Sequence, residues 1–111
     1  MKSTILRKKI KAEGIKFWVN NGKEEVGRAF LYLLKNDLHS EPFGLLEDVF
    51  VKEEEQKRGI GTKLVEEVIK EAKKRKCYKL IATSRYSRPQ VHKWYKKLGF
   101  KDRGIEFRKD F

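Results

Sequence analysis

The amino-acid sequence predicts an α+β domain of the α/β type, a mixed central sheet with elements in the order ββββαβαβ(β). Three observations carry that expectation. The run Phe43 to Val51, Phe-Gly-Leu-Leu-Glu-Asp-Val-Phe-Val, reads as a buried strand. The stretch from about Gly59 to Lys74 keeps Leu64, Val65, Val68, Ile69 and Ala72 at the spacing of one helix face. Tyr78 to Ser84 then reads as a further strand, and a strand–helix–strand unit makes its two strands parallel.

The elements follow in order. Thr4 to about Ala12 reads as a first strand, with Gly14 as the turn after it, and Ile15 to Val19 as a second. Asn20-Asn21-Gly22 marks a hairpin, because Asn-Gly accepts the positive φ angles of a type I′ turn. Val26 to Leu34 is a third strand, apolar on both faces, and a polar loop around 36–42 leads into the fourth, Phe43 to Val51. On the first helix, Glu66→Lys70 and Glu71→Arg75 have the supportive i, i+4 spacing. After the fifth strand, Ser87 and Gln90 have capping-box spacing, marking the start of a second helix. Val91, Trp94, Tyr95 and Leu98 give that helix one apolar face, and Gly99 stops it. From Phe100 the chain reads as one or two short closing strands.

A chain of 111 residues is expected to form one domain, residues 1–111. No run approaches the roughly 18 to 20 apolar residues of a membrane span, and the start lacks the apolar region of a secretory signal. The single Cys77 cannot form an internal disulfide, so the expected compartment is the reducing cytoplasm. The net charge of +12 gathers at Arg7–Lys11, Lys73–Lys79 and Arg85–Arg103. Such a balance suits nucleic acid, a phosphorylated cofactor or an acidic protein; it also describes the solvated surface of a lysine-rich protein.

The segment Gln56-Lys57-Arg58-Gly59-Ile60-Gly61 sits between the fourth strand and the first helix. Its glycines let the backbone turn tightly and approach a ligand. The free N–H groups opening the helix then face an anion that the helix dipole favours. This is a phosphate cradle, although it has neither a Walker A ending nor the three-glycine dinucleotide fingerprint. His39 and His92 lie far apart with no cluster at ligand spacing, so no metal site is expected. Trp18 and Trp94 read as packing residues rather than base-stacking platforms.

Leu46-Glu47-Asp48-Val49-Phe50-Val51, the Gln-x-x-Gly-x-Gly at 56–61, and Trp94-Tyr95-Lys96-Lys97-Leu98-Gly99-Phe100 together resemble the GNAT superfamily of acetyl-CoA-dependent N-acyltransferases. They stand in the family's order and at its separations, over about half the chain, Gly44 to Phe100. The chain resembles a short member: Gly14 leaves no room for the helices that usually separate the first two strands and wall the acceptor site. Arg88 also replaces an asparagine common seven residues before the helix tyrosine.

The resemblance implies acetyl-CoA as co-substrate. Val49 and Val51, flanking Phe50, would offer backbone groups to the pantetheine arm. Gln56 opens the motif, and Lys57, Arg58, Gly59, Ile60, Gly61 and Thr62 would surround the pyrophosphate.

Acetyl transfer to an amine of pKa about 10.4 requires a proton to be removed, and a carboxylate is a natural acceptor for it. Glu47 and Asp48 are the candidates; strand alternation turns only one of them toward the acceptor. The resemblance favours Glu47 as base, leaving Asp48 to bind a cationic acceptor or pair with a surface base, and places Tyr95 as the acid that protonates the leaving thiolate. The expected function is an N-acetyltransferase acting by direct ternary-complex transfer on a primary amine such as a polyamine, an amino acid, or a protein lysine or N-terminus. A homodimer is one way to complete the acceptor pocket. The alternative is a non-catalytic basic module that binds nucleic acid on the same fold.

Overall fold

The computed structural model describes residues 3–111, and its sheet is built from the middle of the chain. Glu13–Asn20 form β1, Glu25–Leu34 β2, Phe43–Val51 β3 and Leu80–Ala82 β4. Ile60–Lys74 form α1 and Pro89–Lys97 α2, with a 3₁₀ turn at Glu53–Glu55 ahead of α1. The strand order is β1-β2-β3-β4; the first three are antiparallel and β4 runs parallel to β3. The architecture is therefore the expected mixed α+β sheet, with α1 as the crossover between two parallel neighbours.

One face of the sheet packs on α1. Ala29, Leu31 and Leu33 from β2, Leu46 from β3, and Leu64, Val65, Val68 and Ala72 from α1 form the buried core. Leu31, Val65 and Val68 are wholly enclosed; burying one such side chain stabilises the fold by roughly 1.5–3 kcal/mol. The 3.6-residue period of α1 and the two-residue period of β2 place these side chains on facing surfaces. Arg75 closes one end of this layer, donating to Glu71 on α1 at 2.9 Å and to both carboxylate oxygens of Glu13 on β1 at 3.0 and 3.1 Å.

Several local expectations change. Thr4 to Ala12 form no strand, and Gly14 is a residue of β1 rather than a turn. It pairs with Tyr32, whose ring atoms would lie 3.1 Å from any Cβ placed there, so the missing side chain makes room for the aromatic ring. The hairpin at Asn20-Asn21-Gly22 forms with a longer connection than a two-residue turn. Asn20 pairs with Glu25, only Gly22 of the three has positive φ, and the Asn21 side-chain oxygen accepts from the N–H groups of Lys23 and Glu24. Asn side chains that bond the backbone just ahead stabilise such wider turns.

The strand expected over Tyr78 to Ser84 contracts to Leu80–Ala82. At the start of α2 the Ser87–Gln90 capping box does not form: Pro89 occupies the first turn, Arg88 takes the cap position, and no side chain caps the helix. Proline with its fixed φ suits that first helical position and shifts the start past Ser87. Gly99, at φ 98°, ends α2 as expected; the Phe100 N–H donates to Tyr95 O and the Gly99 N–H to Lys96 O. The closing strands expected after Phe100 are absent among the described residues, and 101–111 run exposed.

Candidate active site

Strand β3 carries the centre of the site, and an irregularity in it decides which way its side chains point. Pairing with β2 runs Leu31↔Leu46 and Phe30↔Glu47, then resumes at Arg28↔Phe50. Asp48 and Val49 therefore stand opposite the single residue Ala29, a β-bulge, with Asp48 at φ 49°. Aspartate is one of the few side chains that tolerates this left-handed geometry. The extra residue changes the phase of the strand. Leu46 points into the core, Glu47 shares the opposite face with Phe30, and Val49 and Val51 return to pack against the core.

The bulge lies where β3 and β4 part. Gly44↔Leu80, Leu45↔Ile81 and Leu46↔Ala82 are paired, and Glu47 to Val51 have no partner on the β4 side. Pairing thus stops at the carboxyl end of β3, and the opening between the strands beyond Leu46 and Ala82 is taken as the candidate cleft. Ser84 follows the last paired residue of β4 by two. Its Oγ is fully enclosed and has no hydrogen-bond partner, an arrangement that costs roughly 1–3 kcal/mol unless a ligand satisfies it.

The floor of the cleft is the loop 56–59 and the first turn of α1. Lys57 at φ 71° and Gly59 at φ 77° bend the backbone sharply, and no side chain caps the helix. Gly59 faces open space, so its role is conformational freedom rather than clearance. The amides of Ile60, Gly61 and Thr62 precede the first helical acceptors and are left to a ligand or water. Lys57 and Arg58 are exposed beside them, and Arg58 pairs with Glu55 at 3.4 Å.

Gln56 is engaged elsewhere: its side-chain amide donates to the Val51 carbonyl at 2.9 Å, fastening the loop to the end of β3. Thr62 accepts from the indole N–H of Trp94 at 3.0 Å, which joins α2 to α1. This last pair was not visible in the sequence, where Trp94 read only as one of an apolar stripe.

Glu47 is close enough to Tyr95 to influence its ionisation. Partial burial raises the Glu47 carboxyl above the ordinary carboxylate range, and the neighbouring Asp48 and Glu106 carboxylates push it further. Burial likewise raises the Tyr95 phenol, reinforced by the Glu47 charge. Tyr95 packs edge-on to Phe100 at 5.2 Å and lies 5.0 Å from the Trp94 ring. Glu106 had no signal in the sequence, because its approach depends on the path of the terminal segment. Asp48 is exposed. The histidines stand apart: His39 stacks on Tyr78 at 4.5 Å, and His92 Nε2–H donates to the Arg85 carbonyl at 2.8 Å. Among the described residues no cluster of three potential metal ligands occurs, and no helix is long and apolar enough to cross a membrane.

A mixed sheet split beside a bulged strand, with an amide-rich helix start beneath, is the architecture of acyl-CoA-dependent acyltransferases. The sequence profile of the Acetyltransferase (GNAT) family matches residues 3–100, and the chain belongs to that family. Solved structures agree in fold. An acetyltransferase from Trypanosoma brucei superimposes with a TM-score of 0.80 at 24% identity, over 88% of this chain and 69% of that one. A transcriptional regulator from Bacillus halodurans C-125 gives 0.82 at 26%, over 88% and 66%. Glucosamine-6-phosphate N-acetyltransferase from Arabidopsis thaliana gives 0.79 at 22%, over 88% and 67%. The chain thus spans about two thirds of each of these proteins. No curated protein matches it by sequence.

Acetyl-CoA, the acyl donor of this family, suits the residues present. The unpaired side of Glu47 to Val51, the orphaned Ser84 hydroxyl, and the uncapped first turn of α1 flanked by Lys57 and Arg58 are complementary to an amide-bearing arm ending in a diphosphate.

Proposed function

We propose that the chain is a single-domain enzyme that moves an acetyl group from acetyl-CoA to a primary amine within a ternary complex, in the cytoplasm. The observation that carries this reading is the carboxyl of Glu47, raised by burial, beside Tyr95 at the point where β3 and β4 separate.

In this reading Val49 and Val51, flanking the exposed Phe50, present backbone groups to the pantetheine arm. The Val51 carbonyl already holds Gln56, so Val49 is the freer of the two. Lys57 to Thr62 receive the diphosphate. Glu47 takes a proton from the ammonium of the acceptor, directly or through a water, and a carboxyl poised above its usual range is the better base near neutral pH. The neutral nitrogen then attacks the thioester carbonyl; a carbon–nitrogen bond forms, the carbon–sulfur bond breaks, Tyr95 gives its proton to the departing sulfur, and the second proton of the attacking nitrogen passes to the Tyr95 phenolate, restoring the phenol. Glu47, Asp48 and Glu106 bring three carboxylates together in a chain whose net charge is +12, which favours a cationic acceptor.

Calorimetric titration with acetyl-CoA, followed by thiol release with a panel of amines, tests the proposal. Micromolar binding and amine-dependent thiol release are expected. Absence of binding at high micromolar concentration would remove it.

A further inference from the structure

At the end of the sheet remote from the cleft, positive charge accumulates without partners. Strand pairing gathers Glu13, Leu34, Phe43 and Leu80 at that end, and the bond from Arg75 to Glu13 brings the close of α1 to it. Lys11 and Lys35 adjoin these strands, Lys73, Lys74 and Lys76 close the helix, and Lys79 leads into β4; all are exposed. Among the described residues none of these lysines is paired with a carboxylate. The acids around them are already engaged: Glu13 and Glu71 hold Arg75, and Asp37 holds Lys8 at 2.9 Å, which leaves Glu41. A helix C-terminus carries only about half a negative charge, so it offsets little of this excess. Lys76 stands at φ 62°, in the left-handed position after a helix that glycine usually takes. The chain keeps a cation there against the backbone preference.

Two features give this charge a shape. Lys11, Lys35 and Arg75, with Leu33 and Pro42, line a hollow of about 330 Å³. Pro42 continues the surface, since its carbonyl accepts from the Tyr78 N–H at 3.0 Å. There the Tyr78 ring, 44% exposed, stacks with His39 at 4.5 Å and meets the edge of Phe43 at 6.3 Å. The Lys79 ammonium lies 5.1 Å from the Phe43 centroid and 5.2 Å from that of Tyr78. Flat aromatic faces among unpaired lysines suit a strand of unpaired bases: phosphates meet ammonium groups, and bases stack on rings. A duplex hides its base faces and would leave the rings with nothing to stack on.

We infer that this end of the molecule binds single-stranded nucleic acid, with the phosphates over Lys11, Lys35 and Lys76 and bases on the Tyr78–His39 stack. The surface shares no residue with the cleft. Helix α1, 15 residues long, spans about 22 Å at 1.5 Å per residue and separates the surface from the uncapped turn at its start. Polymer and acyl donor are therefore held at opposite ends, and an occupied surface leaves the cleft free.

Fluorescence anisotropy with a labelled oligothymidylate of about 12 nucleotides, a length such surfaces cover, tests this on the full chain. Micromolar binding at low salt is expected, with a slope of log affinity against log salt of roughly −3 to −4, as about five phosphates are neutralised. Tyr78→Ala is expected to weaken binding about tenfold with little change of slope. Lys35→Glu with Lys76→Glu is expected to flatten the slope by roughly 1.4 while the far-ultraviolet circular dichroism is kept. Lys23→Glu with Lys93→Glu, the same change of charge placed elsewhere, is expected to keep most of the affinity. Absence of binding at low salt would overturn the inference, as would equal affinities for the two double variants or an unaltered affinity for Tyr78→Ala. Binding to phosphatidylserine vesicles without binding to the oligonucleotide would overturn it as well.

Discussion

The indole N–H of Trp94 donates to the Thr62 hydroxyl over 3.0 Å, spanning 32 positions of sequence. Thr62 belongs to the first turn of α1, whose amides floor the cleft, and Trp94 precedes Tyr95 on α2. The bond therefore ties the anion-binding turn to the helix that carries the proposed acid. Gly61 lies between them, where a Cβ would touch both Trp94 and Val51 at 3.6 Å.

Replacing Trp94 by Phe removes that bond while keeping an aromatic ring. A loss of about 1 kcal/mol of stability is expected in urea unfolding, the usual net contribution of one such bond. The Michaelis constant for acetyl-CoA is expected to rise together with a fall in kcat, because both sides of the cleft lose registration.

Glu47→Gln separates chemistry from stability. Activity is expected to fall by about 10²- to 10⁴-fold, the range of a lost general base. Stability should move the other way. The folded protein raises this carboxyl above its unfolded value of about 4.3. Its favourable contribution is thus complete below that value and disappears as pH climbs through the folded pKa. The glutamine variant, which never ionises, should melt close to wild type near pH 4 and progressively higher than wild type toward pH 7. Thermal melts at several pH values measure the crossover; a variant less stable at pH 7 than at pH 4, relative to wild type, would contradict it.

Gly59 has left-handed backbone and open space around it. Gly59→Ala is expected to cost about 1–2 kcal/mol, the penalty of a Cβ in that conformation, and to weaken acetyl-CoA binding by calorimetry. Asparagine tolerates the left-handed region better, so Gly59→Asn should recover part of both losses.

In the core, Leu31→Ala empties a fully enclosed site between β2 and its neighbours. A loss of about 2–5 kcal/mol is expected from urea unfolding. Gly44→Ala tests the opposite defect, because its Cβ would stand 2.8 Å from Leu80 Cδ1 and 3.0 Å from Leu31 Cδ1. About 1–3 kcal/mol of destabilisation is expected from that crowding.

What could be foreseen from the residues follows a physical boundary. The buried face of α1 was legible at Leu64, Val65, Val68 and Ala72, because helical periodicity is a local property repeated over four turns. Strand β3 was legible as an apolar run, and the Gly59–Gly61 turn as the break between strand and helix. The bulge was not, since Asp48-Val49 has the same composition whichever side each residue faces, and only pairing with Ala29 reveals the extra position. Gly14 looked like a turn because its pairing with Tyr32, eighteen positions on, is invisible along the chain. The terminal strands failed for the same reason: alternation in 101–111 reports a capacity to pair and says nothing of where a partner edge lies. For the site, the bond from Gln56 to Val51 and the orphaned Ser84 hydroxyl depend on side-chain directions that spacing alone does not give.

The extra residue at Asp48-Val49 works as a phase shifter. Upstream of it, the inward pleats of β3 are fixed by Leu46 against α1; downstream, they are fixed again by Val49 and Val51, and the carboxylate between escapes both sets. Run as a regular strand with no bulge, the same sequence would turn Val49 and Val51 outward and Phe50 into the interior. The irregularity therefore lets one strand keep Leu46, Val49 and Val51 in the core while Glu47 stays on the opposite face.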